Sequence, residues 1–495
     1  MINRYRKQRI DDIFNESRRY SLWELTERML LKARVKLGVL DIGVLKRITK
    51  IWRKHPIDIP YLHELEKKLK HDLNSFLGER NRFLEEEDAA KVHEDITSYD
   101  TEESAFIRML KDAVGEVKNE ACKTFDILKT MAKKYRYTVM YAHTHGQGAK
   151  LQSFGKRCLT WRRQLAIDYQ FLLYALRLLD YSKISGAVGT YGNIDPELEK
   201  LTLKYLGFKP FYGATQIMPR EMYAILAAAL CQIVMTLEKI ANDIRLGARS
   251  GHPIYQEPFN KDQTGSSAMP HKRNSVLTEQ MEGMSRLQMG NYVAILQNIR
   301  TWEERAIEQS CVERVAWPDM FHITIHCLET MNKVLAGLDV HPENMMMEIV
   351  ESRGCYASDE AKEFIKEKAV PLGLTVNECY RIVQLAAFNV LESSRMMKDY
   401  GTMELKGLSE TDRYLEIFKK STTEYSMTLE KMIMTGSLTT HERLKASQAD
   451  AAKWNEILDE IFAEIKNRAE WQNIFKPSFL LRNEAFLYQK ILGEN

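Results

Sequence analysis

The segment from Gln263 to Asn274 carries paired serines, an imidazole, two cations and a side-chain amide. Its glycine and serines, Gly265-Ser-Ser267, do not hold a regular element well, and Pro270 ends one. A Gly/Ser loop with such side chains is typical of an active-site lid. From the residue types alone, we predict an anion-binding loop in which a serine acts as a base or a nucleophile.

A second candidate site is the glycine-containing loop at 144–157, where His145 follows Thr144. The loop does not satisfy the Gly-x4-Gly-Lys-Ser/Thr pattern of a P-loop. A surface histidine in a turn and a functional imidazole explain these residues about equally well. The segment 183–195 contains three glycines but lacks the Gly-x-Gly-x-x-Gly pattern, so we reject a dinucleotide site there.

Two histidines have a spacing that is compatible with zinc. His322 and His326 are four residues apart on a predicted helix. No glutamate follows His322, no third ligand is evident nearby, and such a pair arises easily by accident among twelve histidines. We therefore expect no metal site, and nothing in the sequence indicates a redox cofactor.

The composition is that of a soluble globular protein, with 44% hydrophobic and 28% charged residues. The 71 basic and 68 acidic residues nearly cancel, which argues against a nucleic-acid binder but is compatible with a local phosphate pocket. No apolar h-region follows the basic N-terminus, and the most apolar run, Met222–Met235, is too short to span a bilayer. The seven scattered cysteines are typical of a reducing compartment, so we expect a cytoplasmic protein without membrane association.

These candidate residues must be positioned by helices, because most long segments show helical periodicity. Apolar residues recur in steps of three and four from Leu226 to Ile244, in a helix predicted to end near Gly247, and from Ile325 to Leu338. The stretch 161–182 is apolar on most sides, as in a helix buried in a large bundle or against other subunits. The pattern predicts an all-α fold.

The length of 495 residues allows two to four domains. We predict a charge-rich helical domain at 1–98, a long-helix bundle at 99–348 that contains the candidate loops, and a smaller helical cap at 349–495.

The string Gly265-Ser-Ser-Ala-Met-Pro-His-Lys-Arg-Asn274, called the signature loop below, resembles the signature of the fumarase/aspartase superfamily and is most similar to its adenylosuccinate lyase form. The blocks 93–100 and 144–157 also resemble blocks of these lyases. The resemblance implies three helical domains, the middle one forming the core of a homotetramer whose active sites gather residues from three subunits.

The implied reaction is the β-elimination of fumarate from succinylated nucleotides, without a metal or redox cofactor. Ser266 matches the family's general base, and His145 matches its general acid. His71 and Glu279 are implied to assist that acid, and Lys272 is implied to stabilise the carboxylate as charge develops. The residues implied to bind substrate are Arg4, Tyr5, Lys70, His71, Asp72, His93, Thr97, Ser98, Thr144, Gln216, Lys272, Asn274, Arg305, Ser310 and Arg314.

The sequence departs from the family pattern at several of these blocks. Lys70 replaces an arginine, which keeps the charge but loses the bidentate fork. Ala306 and Glu308 replace an aspartate and a serine, and Ser275 replaces the proline that usually follows the signature asparagine. These departures concern substrate detail rather than the class of reaction.

Two alternatives remain. Another fumarate-releasing lyase, such as an argininosuccinate lyase, would not need the Arg4-Tyr5 pair or the Ser310 and Arg314 pair. A catalytically silent helical scaffold is the other alternative. The joint presence of His145, Ser266 and Lys272 argues against it.

Overall fold

Helices dominate the structure, a computed structural model that describes residues 1–393 and 427–493. The all-α prediction is confirmed, since the described strands are few and short. Backbone contacts divide the chain into two compact units. Unit 1 comprises Met1–Ile127, Trp161–Leu246 and Glu257–Leu338. Unit 2 comprises Leu128–Thr160, Gly247–Gln256 and Asp339–Asn495.

The predicted domain boundaries near residues 98 and 348 stay a prediction. The predicted cap at 349–495 includes residues 394–426 and 494–495, which lie outside the described part of the chain.

The helices wholly or mainly in unit 1 are α1 (Gln8–Phe14), α2 (Glu16–Lys36), α3 (Ile42–Lys54), α4 (Ile59–Leu69), α5 (Asp72–Asn81), α6 (Glu86–Ala89), α7 (Ser98–Lys134), α8 (Phe154–Leu178), α9 (Pro196–Leu206), α10 (Arg220–Gly247), α11 (Val276–Gln297) and α12 (Glu308–Ala336). Those of unit 2 are α13 (Pro342–Glu351), α14 (Ser358–Ala369), α15 (Val376–Ser393), α16 (Leu429–Met434), α17 (Gln448–Ile461), α18 (Ile465–Ile474), α19 (Pro477–Leu480) and α20 (Glu484–Leu492). Short 3-10 turns occupy Asn298–Arg300 and Cys355–Ala357.

Helix α10 follows the predicted apolar period and ends at the predicted glycine, Gly247. Within the described residues, α10 is the one helix long and apolar enough to cross a membrane. However, 61% of its most apolar window is buried within the chain, as in the core helix of a soluble protein. Burial of Leu226, Leu230, Ile233 and Leu237 therefore accounts for its apolar character.

The strands pair two by two. In unit 2, β1 (Val139–Thr144) and β2 (Gln147–Ser153) form an antiparallel hairpin. Unit 1 contains the short parallel pair of β3 (Tyr181–Ser182) with β4 (Lys209–Pro210). In unit 2, β5 (Tyr255–Gln256) pairs with β6 (Asp339–Val340) in antiparallel fashion.

The hairpin corrects the expected loop at 144–157. Thr144 pairs with Gln147, which leaves His145 and Gly146 as a two-residue turn. Both turn residues have positive φ, 55° and 73°, as a type I′ hairpin requires. The glycines of this segment indicated a loop, but Gly148 pairs with His143 across the hairpin and Gly155 lies in α8.

Aromatic side chains form the core of the C-terminal part of unit 2. Trp471 is fully buried between Phe462 and Phe475, at ring-centroid distances of 5.4 and 5.1 Å. Helix α17 begins with a capping box between Ser447 and Asp450, which satisfies the first free N–H groups of the helix.

Candidate active site

The signature loop lies in unit 1 before α11 and folds back on itself. The backbone N–H of Met269 donates to Oγ of Ser266 at 3.2 Å, and the N–H of Lys272 donates to the Met269 carbonyl at 3.0 Å. Ser266 is partly exposed, and the side chains of Lys272 and Arg273 are exposed. The loop therefore presents a hydroxyl and two cations at the surface of the unit.

Gly265 allows the two arms of the loop to touch. A Cβ atom at this position would lie 2.0 Å from the carbonyl oxygen of Lys272, a distance that no side chain tolerates. The backbone beside Ser266 is thus in contact with the backbone of Lys272. This contact brings the predicted base and the predicted cation into one turn.

The C-terminal arm of the loop is held by the start of α11. The buried carboxylate of Glu257 accepts hydrogen bonds from the N–H groups of Leu277 and Thr278, at 3.0 and 3.1 Å, and from the Thr278 hydroxyl. This carboxylate occupies the positive end of the helix. One turn into α11, Glu279 pairs with Arg245 at 3.0 Å, so within unit 1 the predicted orienting carboxylate is bound to an arginine.

Several residues implied to bind substrate cluster elsewhere in unit 1. Arg314 forms an ion pair with Asp72, and Arg305 donates to Oε1 of Gln216 at 3.0 Å. The guanidinium of Arg305 also lies 4.0 Å from the centre of the Tyr99 ring, a cation–π contact. Burial would raise the pKa of Asp72, but the charge and hydrogen bond of Arg314 lower it below its usual value.

A cavity of about 150 Å³ lies beside this cluster. Its apolar wall includes Phe14 and Trp23, and its polar wall, which defines the anion cavity, consists of Arg19, Tyr99, Glu102, Ser310, Glu313 and Arg314. The Ser310 hydroxyl donates to the Ile307 carbonyl at 2.8 Å, which fixes its oxygen near the start of α12.

Four of these wall residues were missed by sequence reasoning: Arg19, Tyr99, Glu102 and Glu313. A signal was present for two of them, because Tyr99, Glu102 and Phe106 recur at helical spacing after the predicted Ser98. Burial and the negative charge of Asp72 raise the pKa of Glu102 to about 8, against the opposing effect of neighbouring arginines.

Buried ion pairs support the floor of the cavity. Arg220, at the start of α10, contacts Glu103 at 2.9 Å and Glu313 at 3.1 Å. Burial raises the pKa of Glu313 to about 7, although Arg220 acts in the opposite direction. These contacts connect α7, α10 and α12, and so they fix the helices that carry the wall residues.

A second buried pair holds Thr97 and Gln216 in place. The Lys183 ammonium lies 2.7 Å from the Asp100 carboxylate, and both side chains are fully buried. Asp100 also accepts from the N–H of Thr97 at 2.9 Å, while Lys183 donates to the Gln216 carbonyl at 2.9 Å. Ser98 follows Thr97 as the first residue of α7. The glycine segment rejected as a dinucleotide site thus has a structural role.

His93 is bound within unit 1. Its Nδ1 lies 2.7 Å from the buried carboxylate of Glu27, which also accepts from the Thr101 hydroxyl at 2.6 Å. His93 has a φ of 61°, in the left-handed region. The predicted substrate residue therefore forms part of an internal network.

Lys70 and His71 form the junction between α4 and α5. Lys70 ends α4 in the left-handed conformation, with a φ of 55°. The ring Nδ1 of His71 accepts from the N–H of Asn74 at 3.3 Å and so caps α5. Because Asp72 follows directly, this junction lies next to Arg314.

The N-terminal segment packs on α12 at a distance from Arg314. The ring of Tyr5 meets His326 edge to face at 5.0 Å, and the N–H of Lys7 donates to Nδ1 of His322 at 3.1 Å. One turn of helix rises 5.4 Å, so His326 lies about 18 Å along α12 from Arg314. Within one subunit, the structure does not bring Tyr5 to the anion cavity, and neighbouring Arg4 is exposed.

The two histidines of α12 have other partners than a metal. Nε2 of His322 lies 3.3 Å from the Asp11 carboxylate. Burial lowers the pKa of both rings, to about 4 for His326. The described residues contain no group of three or more metal-ligating side chains.

His145 belongs to unit 2 and lies at the tip of the β1–β2 hairpin. Its side chain and that of Thr144 are exposed. The type I′ turn positions the imidazole on a two-residue connection between paired strands, which restricts its backbone more than a free loop would.

The comparisons with known proteins agree with this fold and with the signature loop. The family model described as Lyase matches residues 41–290. The fumarate lyase from Mesorhizobium sp. BNC1 superposes with a TM-score of 0.76 at 17% identity, covering 100% of both chains. The β-carboxy-cis,cis-muconate cycloisomerase from Acinetobacter calcoaceticus sp. ADP1 superposes with a TM-score of 0.70 at 19% identity, covering 99% of this chain and 98% of that chain. The fold, the family match and the loop together define a lyase of the fumarase/aspartase superfamily.

Sequence relatives narrow this class. The adenylosuccinate lyase of Aquifex aeolicus is 34% identical over 406 residues, 81% of this chain and 90% of the relative. The adenylosuccinate lyase of Bacillus subtilis is 33% identical over 393 residues, 79% of this chain and 89% of the relative. The chain belongs to the adenylosuccinate lyase family of carbon–nitrogen lyases.

Proposed function

We propose that the chain releases fumarate from adenylosuccinate to give AMP, and from the succinylaminoimidazole-carboxamide ribotide of purine biosynthesis. The observation that carries this proposal is the joint presence, in unit 1, of the signature loop and an anion cavity with Ser310 and Arg314 in its wall. Arginine donates in a planar fork that suits phosphate. The argininosuccinate alternative has no use for such a phosphate site.

One carbon of the succinyl group carries the departing nitrogen, and Ser266 removes a proton from the carbon next to it. A free serine is a poor base, so its alkoxide needs stabilisation. The Met269 N–H already donates to its oxygen, and the backbone of Lys272 lies in the same turn. Lys272 and Asn274 then hold the substrate carboxylate as negative charge develops on it.

His145 donates the proton that the departing nitrogen needs. Its exposed position at a hairpin tip makes the imidazole available to a site built from more than one subunit. His71 assists it, and Glu279 orients the pair once its arginine contact is exchanged. Elimination thus uses a serine base and a histidine acid.

The nucleotide is bound away from the reacting bond. Ser310 and Arg314 hold the phosphate, and Gln216 and Arg305 bind the substrate beside it, with Arg4 and Tyr5 completing the nucleotide site. Thr97, Ser98 and Thr144 donate to substrate oxygens, and Lys70, Asp72 and His93 line the same site. Remote binding energy of this kind positions the succinyl arm for reaction.

The assembly is a homotetramer in which subunits share active sites. The long helices expose apolar side chains, including Ile167 on α8 and Leu287 on α11, at 58% and 54% of their accessible surface. Contact between copies would bury them. The distance of about 18 Å along α12 between the position that Tyr5 contacts and Arg314 also favours a site that takes these residues from two subunits. The proposed site needs no metal or redox cofactor, no nucleic acid or membrane partner, and the compartment is the cytoplasm.

The test is fumarate release from the purified protein with adenylosuccinate, the ribotide and argininosuccinate in parallel. We expect release from the two nucleotides alone, by a species that light scattering identifies as a tetramer. Release from argininosuccinate would overturn the phosphate site. A folded tetramer that releases nothing would support the scaffold alternative, and an active monomer would overturn the shared sites.

A further inference from the structure

Glu102 is an acid in the wall of the anion cavity, and no basic side chain of the described residues forms an ion pair with it. It projects from α7 into the wall that also contains Ser310 and Arg314. The proposed function places a phosphate dianion against that wall. An ionised carboxylate there would repel the ligand, so the position of Glu102 calls for an explanation.

The charged groups around Glu102 come from four other parts of unit 1. Arg19 lies on α2, Asp72 on α5, Arg305 before α12, and Arg314 on α12. Glu313 and the Tyr99 hydroxyl, which lies one turn away on α7 itself, also face the cavity. Each carboxylate except Glu102 has a basic partner, since Asp72 pairs with Arg314 and Glu313 with Arg220.

Within the part of the chain that the structure describes, Glu102 makes neither a hydrogen bond nor an ion pair. Arg305 is bound to Gln216, and Arg314 is bound to Asp72. The half-buried side chain of Glu102 therefore lines the cavity without a partner of its own. Burial favours its neutral form, and the nearby negative charge of Asp72 acts in the same direction, which raises the pKa to about 8.

We propose that Glu102 binds the phosphate group in its protonated form, donating its O–H to a phosphate oxygen while Ser310 and Arg314 hold the other oxygens. This inference rests on the proposed function, because it assumes a phosphate ester at that wall. A neutral carboxyl is both a donor and free of charge, so it adds a hydrogen bond without repulsion. No bond is made or broken apart from this hydrogen bond, and the proton stays on Glu102.

The proposal couples phosphate binding to one proton. If only the protonated form binds, affinity for AMP should fall about tenfold between pH 7 and pH 9 for a group that titrates near pH 8. The phosphate monoester itself ionises near pH 6, so it stays a dianion throughout this range. Adenosine, which has no phosphate, should bind with no such dependence.

The experiment is calorimetric titration of the tetramer with AMP and with adenosine at pH 7, 8 and 9. Glu102→Gln keeps a donor that does not titrate, so its affinity for AMP should be independent of pH. Glu102→Ala loses the donor as well and should bind AMP more weakly than Glu102→Gln at every pH. Glu430→Gln is the matched control, because burial also raises the pKa of this glutamate in unit 2, and it should keep the wild-type slope.

An unchanged pH slope in Glu102→Gln, or the same slope with adenosine, would overturn the role of Glu102. Fumarate release from adenylosuccinate by a protein with pH-independent affinity for AMP would overturn it while leaving the proposed function intact. A protein that releases fumarate only from argininosuccinate and does not bind AMP would instead overturn the proposed function itself.

Discussion

Two parts of unit 1 carry predicted site residues, and they are built in opposite ways. The signature loop lies at the surface, where Lys272 is exposed and the Ser266 oxygen accepts a single backbone N–H. The anion cavity is enclosed by helices, and its arginines already have partners: Arg314 pairs with Asp72, and Arg19 contacts Glu16 and the Tyr20 hydroxyl.

Under the proposed function, the difference separates binding from chemistry. Side chains held in place before the ligand arrives lose little entropy on binding, so the anion cavity is suited to hold the nucleotide. A loop that is open and self-contained must close over substrate before its serine can act. We therefore expect changes in the loop to affect kcat and changes in the cavity to affect KM.

Ser266→Ala should have the largest effect. Loss of the general base should lower kcat for fumarate release by about 10²- to 10⁴-fold, while KM and assembly stay near those of the wild type. Steady-state kinetics measure kcat and KM, and light scattering measures assembly. Ser267→Ala is the neighbouring control and should lose much less. Equal losses in the two variants would contradict the assignment of the base.

Gly265→Ala tests whether the fold of the loop matters apart from its side chains. The added Cβ would lie 2.0 Å from the Lys272 carbonyl oxygen, so the two arms must separate. A displacement of about 1 Å can cost about 10²-fold in rate, and we expect kcat to fall by that order with little change in thermal stability. Gly283→Ala on α11, where a Cβ meets nothing within 4 Å, is the control. Wild-type kcat in Gly265→Ala would show that the closed turn is dispensable.

Arg314→Gln addresses the other region. Loss of a charge-assisted hydrogen bond of about 1.5–3 kcal/mol should raise KM for adenylosuccinate about 10- to 100-fold and change kcat less. Arg314→Lys should recover part of the loss, because it restores the charge without the fork. A fall in kcat at constant KM would break the division between the two regions.

Glu257→Gln should have the smallest effect. It tests whether the start of α11 contributes to the function of the loop or only to stability. The change weakens the three hydrogen bonds at the start of α11, so we expect a loss of about 1 kcal/mol in the free energy of unfolding. Urea denaturation measures it. Glu197→Gln, which alters an exposed pair with Lys200, should change stability by less than that. A marked fall in kcat alongside this small loss in the free energy of unfolding would show that Glu257 also controls loop closure.

Local patterns were enough to predict much of the fold. The apolar period predicted α10 and its end, because a helix buried on one face repeats every three to four residues. The β1–β2 hairpin was missed because its glycines favour a loop, and strand pairing depends on residues that lie across the turn. The loop chemistry was predicted from residue types, since serine, lysine and asparagine stand within a few positions of one another.

The anion cavity shows where sequence reasoning stops. Arg314 and Ser310 were predicted from a resemblance, but Glu102 and Arg19 were not, because neither stands in a recognisable block. Likewise, His93 was predicted to bind substrate, and its contact with Glu27 depends on the packing of two separate segments. A contact between distant segments leaves no local pattern.

The sequence by itself determined the helical class, the lyase family and the residue types available for elimination. These follow from periodicity and from short contiguous motifs, because both can be read from residues that are neighbours in the sequence. Only the tertiary structure decided which of those residues meet. It brought Glu102 of α7 and Arg314 of α12 into the wall of one cavity. It also placed Tyr5 against His326, about three turns along α12 from Arg314. Burial and neighbouring charge, which set the protonation of Glu102, exist only once the helices have packed.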